Sequence, residues 1–375
     1  MEFKTTNNMT EQFSYWMALA HMERIWTKRK NEIVVAAFNR GKTIADFFMC
    51  DEKAWEEDYH LTQEERELFL EAKSKLPNYS FMAEDLLEQG YSLLPITSEE
   101  YPKSLKVNLK YNAPVLLYAK GSIKLLHQDS VAIVGSRSAK PISLQFTDNV
   151  AHQATLQHKV VVSGYAKGVD KQALDSALQY GGDSIVVLPQ GITTFSSGFR
   201  SLYKPISSGK VVVISTFAPT APWSVAFAMA RNPIIYGLAQ NIYVAESDSK
   251  GGTYSGVEDG LRKKRPIFVR FPKSTEKNAN ALLIKMGATA VDMTGNIIDS
   301  TKTTGNTIEQ KIILLIKGHP MTAKEIAEKL LSSVDRKAQS QIRSTIKTIK
   351  DVRQTSSSPI KYIIDSHSVI QPELF

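Results

Sequence analysis

The sequence predicts an α/β protein: a doubly wound parallel sheet, preceded by an all-helical domain and followed by a small domain of three helices and a hairpin. Three observations carry this. Apolar β-branched runs alternate with helical segments through the middle of the chain. Two of those runs end in glycine turns flanked by basic residues, Val131-Ala-Ile-Val-Gly135-Ser136-Arg137 and Val160-Val-Val-Ser163-Gly164-Tyr-Ala166-Lys167-Gly168-Val-Asp170. The regions on either side show helical periodicity instead. A continuous β-branched run suits a strand buried on both faces, as in a parallel sheet covered by helices.

Taken in order, residues 1–10 are polar and Asn/Thr-rich, a tail expected to be disordered. Residues 11–89 read as the helical domain. Phe13, Trp16, Met17 and Ala20 share one face, a second helix covers Glu32–Phe38, and Thr62-Gln-Glu-Glu65 forms a capping box ahead of Leu68, Phe69 and Ala72. Trp16, Trp26 and Trp55 are read as core. Over 90–292 the expected strands are Val131–Val134, Val160–Val162, Ser184–Leu188, Val211–Ile214, Asn241–Ala245 and Pro266–Phe271. Helical segments such as Leu144–Leu156, Lys171–Gln179 and Thr253–Lys263 lie between them. Residues 293–306, rich in Thr, Gly, Asn and Ser, read as a linker.

Over 307–375 one helix is marked by Ile308, Ile312 and Leu315, a second covers Thr322–Leu331, and a third repeats Ile342, Ile346 and Ile349. One residue along, Arg343, Lys347 and Lys350 form a basic stripe about 100° round that helix. Val352-Arg-Gln, a Ser-Ser-Ser-Pro turn and Lys361–Asp365 complete a hairpin, and the whole reads as a winged helix.

Composition narrows the function. At 375 residues two or three domains are expected, and 42% hydrophobic content is enough to build their cores. The net charge of +8 favours polyanionic partners without proving one. With Cys50 the single cysteine, the chain holds no internal disulfide, and its seven histidines lack metal-ligand spacing. No metal and no cofactor are expected. No apolar stretch reaches the roughly 20 residues of a membrane span, and no signal-peptide pattern opens the chain, so a cytoplasmic protein is expected.

The glycine turns carry the chemistry. Gly and Ser at the carboxyl end of a buried strand let the backbone turn tightly and present amides, and the next helix adds its positive end. Such a site suits phosphate. From these turns outward the chain resembles the DprA/Smf family of DNA-processing proteins. The similarity starts at Tyr101-Pro102-x-x-Leu105 and Ala113-Pro114-Val-Leu116-Leu-Tyr118-Ala-Lys-Gly121. It continues through Gly135-Ser136-Arg137, Ser163-Gly164-x-Ala166-x-Gly168-x-Asp170 and Phe227-x-x-x-Arg231-Asn232-x-Ile-Ile235-x-Gly237-Leu238. Glu246, the Gly251-Gly252-Thr253 turn and Asn280-Ala-Leu282-Leu-Ile284-x-x-Gly287-Ala288 close it. The resemblance implies a Rossmann-like core that binds single-stranded DNA without catalytic turnover, dimerises, and helps load a RecA-type recombinase during uptake of foreign DNA.

The chain also departs from the family. Ala173-Leu174 replaces Ala-His, Lys167 replaces Arg, and Leu188-Pro189-Gln190-Gly191-Ile192 replaces a Leu-Gly-x-Gly-Leu segment. Ser215-Thr216-Phe217-Ala-Pro219 stands for Ser-Glu-x-Pro, and Lys250 is inserted where the family runs directly from Ser to Gly.

The expected phosphate or DNA contacts are therefore Gly135, Ser136, Arg137, Ser163, Gly164, Lys167, Arg231, Asn232, Gly251, Gly252, Thr253 and Lys263, with Arg343, Lys347 and Lys350 contacting DNA or protein from the winged helix. Each has a plainer reading. Arg137 would pair with an acid such as Asp170, Lys167 would be a solvated loop lysine, Asn232 would orient its loop, and Thr253 would cap a helix. The basic run Arg262–Arg265 would complement a helix dipole. Tyr165 is the aromatic named for base stacking. A different class of function is a nucleotide sensor or nucleotide-processing enzyme. Gly251-Gly252-Thr253-Tyr-Ser-Gly256-Val-Glu258 is reminiscent of a phosphoribohydrolase loop with altered spacing, and Glu246 or Glu258 would be its acid or base. A specialised paralogue in phage or mobile-element defence is the third reading.

Overall fold

A computed structural model describes residues 2–298 and 308–364, apart from 318, 332, 350, 351 and 357. The chain divides into two compact units, Met1–Ile297 and Ile298–Phe375.

The first unit is built on a nine-stranded sheet. Its strands are β1 Ser92–Pro95, β2 Leu116–Gly121, β3 Ser130–Val134, β4 Val160–Ser163, β5 Ser184–Val187, β6 Val211–Ser215, β7 Asn241–Val244, β8 Ile267–Arg270 and β9 Thr289–Val291. Their spatial order is β1-β2-β6-β5-β4-β3-β7-β8-β9. From β6 to β9 all neighbours run parallel, whereas β1 and β2 are antiparallel additions at one edge. The chain starts the parallel part at β3, winds outward through β4 to β6, then crosses back to the other side of β3 with β7. That reversal opens a crevice between the carboxyl ends of β3 and β7.

Alternate residues explain why helices cover both faces. Val131 and Ile133 of β3 pack with Phe146 and Val150 of the helix Pro141–Leu156 and with Val169 and Ala173 of the helix Val169–Gln179. Ala132 and Val134 face the other way, towards Ile234, Ile235 and Leu238 of the helix Asn232–Leu238, Val257 of Gly252–Arg262 and Leu283 of Asn280–Lys285. All six strands expected from the β-branched runs are present. β1, β2 and β9 are additional to them.

Two expectations for the amino-terminal region are corrected. The first helix runs Glu2–His21, so residues 2–10 of the expected polar tail are its leading part. The segment contains no Gly or Pro to interrupt a helix once Trp16, Met17 and Leu19 are anchored in the core. Nor do the helices of 11–89 form a separate body. Trp16, Phe47, Phe48, Trp55 and Phe69 share one hydrophobic cluster with Leu93, Tyr118, Val186 and Val213 of the sheet and with Leu174, Phe195 and Leu202 from later in the chain. Trp55 is fully buried, as expected, and its indole N–H donates to the Phe47 carbonyl at 2.8 Å. Trp26 is 84% exposed, because it stands just before the helix Thr27–Asn39 rather than on its buried face. The Thr62–Glu65 capping box is present on the helix Gln63–Ser74.

The second unit holds helices Ile308–Ile316, Ala323–Leu331 and Arg336–Thr348 and a three-stranded sheet of β10 Met321–Thr322, β12 Lys361–Ile363 and β11 Arg353–Gln354, in that order. Ile312, Ile316, Ile326, Ile342, Ile346 and Tyr362 make its core. Arg343 and Lys347 are exposed on the last helix, while Lys350 lies outside the described residues. So does most of the stretch expected as a linker over 293–306.

Candidate functional site

The crevice at the β3/β7 reversal is a cavity of about 350 Å³. Three backbone segments build it, and their contacts explain the glycines. The Ser136 amide donates to the Glu246 carbonyl at 2.9 Å, tying the turn after β3 to the end of β7. Gly168, at φ +79°, lies against the carbonyls of Ser136 and Arg137, where no side chain fits. The β4 turn therefore stacks directly on the β3 turn.

The third segment is the Gly251-Gly252 turn, with Gly251 at φ +101°, which opens the helix Gly252–Arg262. No side chain caps that helix and its first turn carries no acid, so its amides and positive end face the cavity. Asn232 Nδ2 donates to the Gly252 carbonyl at 3.2 Å, so Asn232 orients this turn. Gly251 occupies the N-cap position, and Thr253 lies one residue inside the helix rather than capping it.

Gly135, Ser136, Arg137, Arg231, Asn232, Gly251, Gly252 and Thr253 all line the cavity. Arg137 is exposed, and its guanidinium stands 5.9 Å from the centroid of the Trp223 ring. Arg231 is different. It is 4% exposed, pairs with Asp170 at 3.3 Å and donates from Nη1 to the Val187 carbonyl at 3.2 Å. Burial lowers the pKa of Arg231 and raises that of Asp170, each opposed by the partner's charge. Asp170 thus belongs to Arg231 and leaves Arg137 free for an anion. Gly164 has its space taken by the same guanidinium, and Ser163 is buried with its hydroxyl on the Ile133 carbonyl at 2.9 Å. These two shape the site from behind without lining it.

Lys167 is exposed on the β4 turn but does not line the cavity. Lys263 stands just past the far end of the helix Gly252–Arg262, about 16 Å from the cavity at the α-helical rise, and pairs with Asp259 at 2.7 Å. Arg262 pairs with the same carboxylate at 3.2 Å. Arg265 hydrogen-bonds Asn108 and the carbonyls of Tyr236 and Ala239. Arg262 and Lys263 thus share Asp259 at the carboxyl end of the helix, where their charge complements its dipole, and Arg265 ties that end to Asn108. Tyr165 packs edge-on against Phe195 at 5.0 Å and bonds Ser201, so its ring is engaged elsewhere.

Lys250, Asp248 and Tyr236 line the cavity without having been singled out as contacts. The insertion of Lys250 beside the glycine turn was the available signal for the first. Glu246 is held in a network: its Oε2 accepts from the Ser143 hydroxyl at 2.6 Å and the Lys140 amide at 3.1 Å. Arg270 donates to Ser143 at 3.1 Å and pairs with Glu276. Asn280 accepts from the Ser247 amide at 3.0 Å and donates to the carbonyls of Ala245 and Arg270, at 3.1 and 2.9 Å. This network fixes the segment that leads to Lys250 and Gly251. Glu246 acts here as a structural carboxylate, and Glu258 does not line the cavity.

Residues 92–302 match the family described as DNA recombination-mediator protein A. The chain belongs to that family. Among characterised relatives, the DNA processing protein DprA of Streptococcus pneumoniae is 35% identical over 181 residues, covering 48% of this chain and 63% of that protein. DprA of Bacillus subtilis is 29% identical over 191 residues, covering 48% and 61%. The chain thus spans somewhat under two thirds of these relatives. The crystal structure of DprA from Streptococcus pneumoniae superposes with a TM-score of 0.59 at 25% identity, covering 74% of this chain and 94% of that one. The family match spans every strand of the main sheet, and so the whole cavity.

Proposed function

We propose that this protein binds single-stranded DNA at the β3/β7 cavity and acts in DNA processing and recombination without catalysing a reaction. The observation that carries the reading is the convergence of Arg137, which has no acidic partner among the described residues, Lys250 and an uncapped helix N-terminus on one cavity at the sheet's reversal point. Open α/β sheets bind phosphates at this place. Family membership supports a mediator role, in which a homodimer delivers the strand to a RecA-type recombinase in the cytoplasm. The second unit is read as a winged helix, with Arg343 and Lys347 on the exposed face of its last helix available to DNA or protein.

Fluorescence anisotropy of a labelled single strand across a salt series tests the reading. Binding should weaken steeply with salt, show little sequence preference, and collapse in Arg137→Glu. Equal binding by wild type and Arg137→Glu, or none at low salt, would overturn it.

A further inference from the structure

One stretch of surface beside the cavity is apolar in an otherwise charged chain. From Thr216 to Ala230 no residue carries a charge, and only Thr216, Thr220 and Ser224 are polar. Much of it lies in the open: Trp223 is 49% exposed, Val225 65% and Met229 41%. Val225 and Met229 stand four apart on the helix Val225–Ala230, so they share a face, and both line the cavity. Trp223 precedes the cap of that helix and stands beside Arg137. Single exposed apolar residues are ordinary, but a set gathered on the rim of a cavity marks an interaction site.

The ridge is also rigid. The Ser224 hydroxyl caps its helix, accepting from the Phe227 amide at 3.0 Å. Phe217 and Phe227 stack with centroids 4.2 Å apart, which fastens the segment just past β6 to the helix. The loop between them is tied to the segment after β5. There the Gly191 amide donates to the Ala221 carbonyl at 2.8 Å, and the Thr193 hydroxyl to the Pro219 carbonyl at 2.7 Å. A ring held in the open on a fixed backbone loses little freedom when a flat group stacks on it. The neighbouring charges indicate which flat group. Arg137 lies 5.9 Å from the Trp223 centroid and lines the same cavity as Lys250. A single strand offers one phosphate and one flat base face per nucleotide, matching cations set beside an aromatic ring. A duplex keeps those faces in its stack, and an apolar protein patch would bury Arg137 without a counter-charge.

Resting on the single-strand reading, we propose that Trp223 is a base-stacking platform on the rim of the cavity. Arg137 and Lys250 hold a phosphate, and the base of the adjoining nucleotide lies on the open face of the Trp223 ring. Val225 and Met229 continue the apolar surface beside it. Trp223 thereby takes the role expected of Tyr165, whose ring is packed against Phe195.

The test uses the full chain and two labelled oligomers of equal length: oligodeoxythymidine, and an abasic counterpart that keeps the phosphates and lacks the bases. Trp223→Ala should weaken binding of the base-bearing strand by roughly tenfold. It should leave binding of the abasic strand, and the slope of affinity against salt, unchanged. Trp223→Phe, which keeps a ring, should recover most of the loss. Arg137→Glu should instead weaken both strands and flatten the salt slope. The base-bearing strand should also quench tryptophan emission. That quenching should vanish in Trp223→Phe and persist in Trp26→Phe, which removes the other strongly exposed indole. Equal affinity of wild type and Trp223→Ala for the base-bearing strand would overturn the inference and leave the single-strand reading standing. So would an equal loss on the abasic strand, since the ring would then act only by positioning Arg137. If wild type binds neither strand at low salt, the reading itself falls and the inference with it.

Discussion

Arg231 and Asp170, 61 residues apart in sequence, form a buried ion pair at 3.3 Å in the wall of the cavity, and the guanidinium fills the space where Gly164 would carry a side chain. Gly164→Ala should therefore displace the guanidinium and break the pair. Removing one partner of a buried ion pair costs about 3–5 kcal/mol, and Asp170→Ala should show a loss of the same order in urea denaturation. Unchanged midpoints in both variants would mean the pair contributes nothing to stability.

Acid stability should report Glu276. Its bond from Arg270, opposed by partial burial, holds its carboxyl down at about 2, from an ordinary 4.5. The folded pKa lies below the unfolded one, so the contribution is complete above about pH 4.5 and disappears as the pH falls towards 2. At neutral pH that shift corresponds to about 3 kcal/mol. Glu276→Gln should lower stability at pH 7 and flatten the acid limb, measured by denaturation at a series of pH values.

A second acid transition should begin earlier, at His21. Burial, with Lys30 nearby, pushes its imidazole down to about 3 from 6.5, and its Nε2 lies 2.7 Å from the Tyr118 hydroxyl. Here too the folded pKa is the lower one, so stability is full above about pH 6.5 and is lost as the unfolded chain takes up its proton below that. His21→Asn should remove the part of the pH dependence between 6.5 and 3. NMR titration of the ring should find it neutral at pH 5, and a charged ring there would contradict the assignment.

Lys263 provides a control on where DNA binds. It stands at the end of its helix remote from the cavity and is paired with Asp259. Lys263→Glu should change single-strand affinity by no more than about twofold, as screened surface charges do, in contrast to Arg137→Glu. Equal losses in the two variants would move the binding surface along the helix.

What could be read from the residues, and what could not, divides along physical lines. β3 to β6 announce themselves because strands buried on both faces are apolar along most of their length, as Val160-Val-Val and Val211-Val-Val-Ile are. β1 carries no such signal, being only Ser-Leu-Leu-Pro at the sheet's edge, and β2, Leu116-Leu-Tyr-Ala, is apolar without being β-branched and joins the sheet antiparallel. Arg137 was legible from the glycine turn beside it, whereas Lys250, next to the Gly251 turn, showed only as an insertion. The true partner of Asp170 was not legible, because a pair formed across 61 residues has no local periodicity. The same holds for Tyr236, which reads as one more apolar position of a buried helix until its hydroxyl is seen without a partner.

The short strands at the two ends of the sheet also constrain how copies of this molecule can meet. β1 offers four residues, one of them Pro95 with no amide to give, and β9 offers three, with Val291 already bridged to Ile297. A second copy seeking to extend the sheet by main-chain pairing finds almost nothing to zip onto. Among the described residues, self-recognition is thereby left to side-chain surfaces, whose fit is written residue by residue and can diverge between relatives that keep the same backbone.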